Sequence, residues 1–141
     1  METIKLHNLP HDVNRIGIGT WAIGGWMWGG TDERLSIKTL REAFDRGLNL
    51  VDTADLYGFG TSEKIVGKAI REHGNRDDLV LVTKVGVEWD ENGKVWRNSS
   101  RDYILREVEE SRKRLDTDYL DVYMIHWPDH RVDFTETAEA L

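Results

Sequence analysis

Four side chains combine an acid, a phenol, an amine and an imidazole at positions where strands are expected to end. Asp52, Lys84 and His126 close three short apolar runs, and Tyr57 follows Asp52 by five positions. Each residue alone has an ordinary explanation, as a turn former, a loop aromatic, a solvated strand end or a satisfied polar group. Their joint placement at consecutive strand ends is much harder to explain in that way.

This combination suits proton donation to a carbonyl oxygen. A tyrosine hydroxyl is a weak acid, and a neighbouring cation makes it a better proton donor by favouring the phenolate. Lys84 can supply that cation, and Asp52 can keep a buried ammonium charged. His126 can hydrogen-bond and orient the substrate carbonyl. With Tyr57 as general acid, the set suits reduction of a carbonyl by a hydride from a cofactor.

The composition limits the kinds of partner that the protein can bind. Acidic side chains outnumber basic ones by 26 to 19, and the formal net charge of -7 repels phosphate backbones and anionic lipid surfaces. We therefore predict a small-molecule carbonyl substrate, with no nucleic acid and no membrane as partner. The sequence has no cysteine and no apolar stretch of ~20 residues, so the cytoplasm is the default location. Carboxylates and histidines lack close spacing, and no metal site is predicted.

Apolar runs alternate with segments of helical spacing, which predicts four strand-helix units. The predicted strands are residues 15–19, 48–52, 79–84 and 120–125. The predicted helices cover residues 32–46, a segment opening near Ser62, a segment after Ser100 and a segment beginning near Asp133. Thr31 and Ser100 are the predicted N-caps of the first and third helices.

Two further features predict short antiparallel pairings. Residues 3–6 and the stretch around Val13 can pair as an N-terminal β-hairpin outside the main sheet, and Asn92-Gly93 is typical of a hairpin tip. Alternating strands and helices imply parallel strands with right-handed crossovers, so all strands end on one side of the sheet. The doubly wound sheet and the eight-fold barrel share this geometry, and both bind ligands on that side.

A glycine-rich stretch bears on the choice between these two architectures. Gly17-Ile18-Gly19-Thr20-Trp21-Ala22 matches the G-x-G-x-x-A pattern of doubly wound dinucleotide-binding sheets. In that fold the helix begins within the glycines, whereas residues 23–31 separate these glycines from the first predicted helix. We therefore favour an ordinary glycine-rich connection.

Longer motifs carry a specific resemblance. Residues 47–58, GLNLVDTADLYG, and residues 62–69, SEKIVGKA, resemble the first signature of the aldo-keto reductase family. Residues 119–128, YLDVYMIHWP, resemble the second signature. Thr83-Lys84 is similar to the lysine strand of that family, and Gly19-Thr20-Trp21 resembles its loop on the nicotinamide side.

The resemblance implies a parallel (β/α)8 TIM barrel of which residues 1–141 are the N-terminal half, ending within the fourth helix. It implies an oxidoreductase that reduces aldehydes or ketones with NADP(H). The implied catalytic tetrad is Asp52, Tyr57, Lys84 and His126, and the implied cofactor-binding residues are Gly19, Thr20, Trp21 and Asp52. A full barrel needs roughly 250 residues. The cofactor clamp of the family lies in the second half, so a preference for NADPH over NADH is inherited from the resemblance alone.

The tryptophans suggest the character of the substrate. All six, Trp21, Trp26, Trp28, Trp89, Trp96 and Trp127, are predicted in loops that follow strands. On that basis we assign Trp21, Trp28, Trp89 and Trp127 to an aromatic-walled pocket for hydrophobic aldehydes or ketones. The alternative is that the tryptophans only fill the interiors of loops.

Two other functions remain open at this stage. The chain could belong to a barrel relative kept as a binding or regulatory subunit, as the channel-associated members of the family illustrate, although an intact tetrad disfavours this. It could also be a half-barrel with a purely structural role. The 141-residue chain by itself is expected to be inactive and to self-associate, because a half-barrel leaves unpaired strand edges.

Overall fold

The computed structural model describes residues 1–9 and 11–141. Within these residues the strands are β1 Thr3–Ile4, β2 Val13–Asn14, β3 Ile18–Gly19, β4 Leu50–Asp52, β5 Val80–Val85, β6 Val87–Trp89, β7 Val95–Arg97 and β8 Val122–Ile125. The helices are α1 Glu33–Asp45, α2 Thr61–His73, α3 Arg101–Leu115 and α4 Phe134–Ala140. Short 3-10 turns cover Ala22–Gly24 and Arg76–Asp78.

A parallel sheet forms the centre of the molecule, with the strand order β3-β4-β5-β8. Gly19 pairs with Asp52, and Lys84 pairs with Met124, so the carboxyl ends of the strands lie side by side. A helix follows each of these strands before the next one begins. The alternation predicted from the sequence is therefore confirmed, and it is the arrangement of consecutive units in a (β/α) barrel.

The helices bury the apolar stripes that the sequence predicts. In α1 the buried residues are Ile37, Leu40 and Phe44, and in α2 they include Ile65, Val66, Ala69 and Ile70. These side chains pack against Val51 and Leu81 of the sheet, both fully buried. Removal of this apolar surface from water is the main force that holds the helices on the sheet.

One predicted cap is wrong. Asp32, and not Thr31, caps α1, because its side chain accepts a hydrogen bond from the Leu35 N–H at 2.9 Å. The Thr31 hydroxyl donates instead to the carbonyl of Ile23 at 2.8 Å, a bond between the two ends of the loop that precedes α1. Ser100 occupies the predicted cap position of α3, but its hydroxyl donates to Asn98 Oδ1.

The predicted hairpins are both present. Strands β1 and β2 pair antiparallel outside the parallel sheet, and β6 and β7 pair antiparallel around Asn92-Gly93. The second hairpin corrects the predicted placement of two tryptophans, which lie in strands and not in loops. Trp89 of β6 is opposite Val95, and Trp96 of β7 is opposite Glu88. Aromatic residues suit a pleated, half-buried strand, which explains the difference. No helix in the described part of the chain is long and apolar enough to cross a membrane.

Candidate active site

The four residues of the predicted tetrad gather at the carboxyl ends of the parallel strands. Asp52 is the last residue of β4, Lys84 is the penultimate residue of β5, and His126 directly follows β8. Tyr57 lies in the loop between β4 and α2. The parallel register brings these positions to one side, as the spacing of the strand ends predicts.

Lys84 is the centre of the cluster. Its Nζ donates to Asp52 Oδ1 at 2.7 Å, to the Thr53 carbonyl at 2.7 Å and to the Tyr57 hydroxyl oxygen at 3.2 Å. These three acceptors match the three protons of an ammonium group. The Lys84 side chain is only 11% exposed, whereas the Asp52 carboxylate is 42% exposed. The Thr53 carbonyl was missed by the sequence analysis, because any residue could supply a backbone oxygen there.

His126 faces the tyrosine edge-on. The two rings are 5.6 Å apart between centroids, with 82° between their planes. Burial, and secondly the positive charge of Lys84, lower the pKa of His126 to about 4, although Asp52 opposes the shift. The imidazole is therefore neutral at neutral pH. Its Nδ1 is buried and has no hydrogen-bond partner among the described residues.

An aromatic cleft of about 430 Å³ adjoins the tetrad. It is lined by Trp21, Trp26, Met27, Leu56, Tyr57, His126 and Trp127. Trp21 stacks on Tyr57 at 6.2 Å between centroids, with 28° between the ring planes. The phenol of Tyr57 therefore lies in the wall of a largely apolar space, where a substrate could reach it.

The predicted substrate residues separate into two groups. Trp21 and Trp127 line the cleft, and Trp28 packs edge-on against Trp21 at 5.5 Å, at the border of the cleft. Trp89 lies in the β6-β7 hairpin, 5.8 Å from Phe59, and is not among the residues that line the cleft. Trp26, which the sequence analysis left out of the pocket, does line it.

The predicted cofactor residues lie beside Asp52. Thr20 is fully buried, and both its N–H and its hydroxyl donate to the Asp52 carbonyl at 3.0 Å. Gly19 pairs with Asp52 in the sheet, and the space where a side chain would project from it is open. Trp21 is 43% exposed. This edge of the site thus offers an accessible aromatic face, an open backbone surface and a half-exposed carboxylate.

Two glycines join the loop of Trp21 to the loop of Tyr57. Gly58 has a φ of +64°, and a side chain there would collide with the backbone of Gly24. A side chain on Gly24 would in turn lie 2.5 Å from the carbonyl carbon of Tyr57. Only glycine allows two backbones to approach so closely. The two loops therefore pack directly against each other and form one wall of the site.

A buried group of charged residues lies between α2, α3 and β5. Glu63 is fully buried, accepts from the Thr83 hydroxyl at 2.6 Å and pairs with Arg114 Nε at 2.6 Å. Arg114 also pairs with Glu107. Burial raises the pKa of Asp55, and the nearby Glu63 and Glu107 raise it further. Among the described residues, no three His, Cys, Asp or Glu side chains converge as a metal site would require.

A sequence profile described as the Aldo/keto reductase family matches residues 15–141. Aldo-keto reductase YhdN of Bacillus subtilis is 53% identical over the whole chain, which covers 42% of that protein. The NADH-specific methylglyoxal reductase of Escherichia coli is 40% identical, again over the whole chain, which covers 46% of it. The chain thus spans less than half the length of these relatives.

Solved structures agree with the sequence matches. A glycerol dehydrogenase of Gluconobacter oxydans has a TM-score of 0.88 and 42% identity over 98% of this chain and 43% of its own. An aldo-keto reductase of Klebsiella pneumoniae in complex with NADPH has a TM-score of 0.73 and 38% identity over 92% of this chain and 40% of its own. These likenesses confirm that the chain has the fold of part of a (β/α) barrel. With a family match over most of its length and the tetrad gathered at the strand ends, the chain belongs to the aldo-keto reductase family.

Proposed function

We propose that this chain supplies the catalytic half of an oxidoreductase that reduces aldehydes or ketones to alcohols with NADP(H), with Tyr57 as general acid. The observation that carries the proposal is the 3.2 Å hydrogen bond between Lys84 Nζ and the Tyr57 hydroxyl oxygen. A cation at that distance stabilises the phenolate that is left when Tyr57 gives up its proton. The ion pair with Asp52 at 2.7 Å holds the cation in place.

The chemistry needs one hydride and one proton. Gly19, Thr20, Trp21 and Asp52 would hold a nicotinamide cofactor, which would supply the hydride for the carbonyl carbon. Tyr57 delivers its hydroxyl proton to the carbonyl oxygen, so the products are an alcohol, the oxidised cofactor and a phenolate that solvent reprotonates. His126 is neutral and can donate an N–H to the same oxygen, which orients the carbonyl without adding a competing positive charge. Trp21 and Trp127 line the cleft beside Tyr57 and His126 and provide apolar surface for the substrate.

Residues at the β3 edge fit a nicotinamide. Trp21 presents an exposed ring, Gly19 leaves open space beside the strand, and Asp52 is half exposed next to Thr20. A planar ring and its amide can pack against such a surface. The NADPH complex of the Klebsiella pneumoniae relative supports NADP(H), whereas the Escherichia coli relative is named NADH-specific. We therefore assign NADP(H) as a hypothesis to be tested against NADH.

The test is turnover of an aromatic aldehyde by the intact enzyme, followed through the loss of the reduced cofactor's absorbance. We expect turnover with NADPH, and a lower kcat/KM with NADH. A preference for NADH would correct the cofactor and leave the reductase assignment standing. Absence of turnover with both cofactors, over a range of aldehydes and ketones, would favour a non-catalytic barrel relative with a binding or regulatory role.

A further inference from the structure

Ser62 lies where three parts of the site meet. It is in the first turn of α2 and is fully buried. Its Oγ lies 2.8 Å from Thr20 Oγ1 and 3.1 Å from Thr53 Oγ1, and both threonines are also fully buried. We call these three residues the hydroxyl cluster. It joins the loop after β3, the end of β4 and the start of α2.

One order of donation satisfies every hydroxyl of the cluster. The Thr53 hydroxyl donates to Ser62 Oγ, and the Thr20 hydroxyl donates to the Asp52 carbonyl at 3.0 Å. The Ser62 hydroxyl donates to Thr20 Oγ1 at 2.8 Å, and the Thr20 carbonyl is a second acceptor at 3.0 Å. Each hydroxyl then gives one hydrogen bond, and Ser62 and Thr20 each also accept one. Ser62 is the middle member, so its removal leaves Thr53 without this acceptor and Thr20 without this donor.

The hydroxyl cluster contacts the Asp52–Thr53 peptide, whose two residues bind the Lys84 ammonium group. Asp52 and Thr53 are adjacent, and they provide the carboxylate oxygen and the carbonyl oxygen that accept from Lys84 Nζ, each at 2.7 Å. Movement of this peptide would therefore displace two of the three acceptors of the ammonium group. Ser62 also reaches the tyrosine, because its backbone N–H donates to the Tyr57 carbonyl at 3.1 Å.

We propose that Ser62 is a positioning residue for the tetrad, which fixes the Asp52–Thr53 peptide beneath Lys84 and joins it to the loop of Thr20 and Trp21. Ser62 is too deeply buried to touch a substrate, so it acts through these neighbours. Its catalytic consequence rests on the reductase function proposed above. Its structural consequence, a fixed position of the Asp52–Thr53 peptide beneath Lys84, does not depend on that function.

The test compares Ser62→Ala with Ser111→Ala. Ser111 is a matched control, because its hydroxyl is also fully buried and accepts from Arg114 at 3.1 Å, but it lies on α3 and, among the described residues, has no hydrogen bond to the tetrad or to the hydroxyl cluster. In the intact enzyme we expect Ser62→Ala to lower kcat by about 10- to 100-fold with little change in KM, since sub-ångström misplacement of reacting groups is costly. Ser111→Ala should keep kcat within about twofold of the parent even where it lowers the unfolding temperature.

Amide hydrogen exchange gives a readout that does not depend on turnover. Ser62→Ala should raise exchange in residues 20–28 and 52–58 while the rest of the chain keeps its protection. Ser111→Ala should leave both segments unchanged, because its partner Arg114 approaches this part of the chain only at Gly60. Unchanged exchange in residues 52–58 would overturn the proposal, as would a kcat equal to that of the control. If the parent protein reduces no carbonyl at all, the proposed function fails, and exchange alone decides the role of Ser62.

Discussion

The Lys84 ammonium nitrogen lies 3.2 Å from the hydroxyl oxygen of Tyr57, although 27 positions separate the two residues in sequence. The contact forms because β4 and β5 are parallel and end on the same side of the sheet, where the loop after β4 carries Tyr57. It couples a phenol to a cation that is itself held by a carboxylate, and the first prediction addresses it directly.

Tyr57→Phe removes the hydroxyl and keeps the ring that stacks on Trp21. We expect kcat for carbonyl reduction to fall by about 10²- to 10⁴-fold, with cofactor affinity nearly unchanged, because only the proton donor is lost. Tyr119→Phe is the matched control, since its exposed hydroxyl contacts Asp77 away from the site. Near-normal turnover by Tyr57→Phe would contradict the role of this residue as general acid.

His126 should make the protein less stable in mild acid. Burial and the charge of Lys84 hold the pKa of His126 at about 4 in the folded state, whereas an unfolded histidine titrates near ~6.5. The unfolded chain therefore binds more protons between these values, and stability falls as the pH drops from ~6.5 towards 4. Between pH 7 and pH 5 we expect a loss of about 1–2 kcal/mol from this group.

Urea unfolding of the parent and of His126→Gln at the two pH values measures this contribution. Glutamine does not titrate, so the difference between the two proteins isolates the imidazole. This subtraction is needed because the buried carboxyls of Asp55 and Glu107, whose pKa values are raised, act in the opposite sense. Equal pH dependence in both proteins would mean that the pKa of His126 is not lowered by folding.

Arg114 should be essential for stability. Arg114→Met would leave the buried carboxylates of Glu63 and Glu107 without their shared cation, which costs about 3–5 kcal/mol in comparable buried ion pairs. Arg112→Met is the control on the same helix, because Arg112 pairs with the more exposed Glu109. Its replacement should lower the free energy of unfolding by about 0.5 kcal/mol or less. The measurement is the free energy of unfolding in urea, and equal losses in the two variants would refute the prediction.

The aromatic cleft should favour hydrophobic carbonyl substrates. We expect a higher kcat/KM for an aromatic aldehyde than for a hydrophilic aldose, because the walls are Trp21, Trp26 and Trp127. Trp26→Ala should lower kcat/KM for the aromatic aldehyde by about tenfold or more. Trp96→Ala, in the β6-β7 hairpin, serves as control. Equal values for the two substrates in the parent would leave the tryptophans with a role in loop packing only.

The 141-residue chain, prepared alone, should associate and bind NADPH weakly. Strands β3 and β8 are the outer strands of the parallel sheet, and their unpaired edges favour contact with other chains. Tyr119 and Met124 are also large and about 40% exposed at β8 or just before it. Sedimentation with an NADPH titration tests this, and a stable monomer with micromolar affinity would contradict it.

The sequence alone determined the elements and the positions of the tetrad. Apolar runs followed by amphipathic segments predicted the parallel units, and parallel strands must end on one side, so Asp52, Lys84 and His126 had to converge. The N-terminal hairpin and the turn at Asn92-Gly93 were predicted by local residue preferences. All of these features depend on neighbours close in sequence or on the handedness of the fold.

Only the tertiary structure decided which atoms meet. Thr31 and Asp32 are adjacent oxygen-bearing residues, and the choice of Asp32 as cap follows from the bond that Thr31 makes to Ile23. The third acceptor of Lys84 is a backbone carbonyl, which leaves no trace in residue type. The contact of Ser62 with Thr20 joins residues 42 positions apart. Local spacing sets the face on which a side chain lies, but its partner is chosen by how the helices pack on the sheet and how closely the loops approach one another.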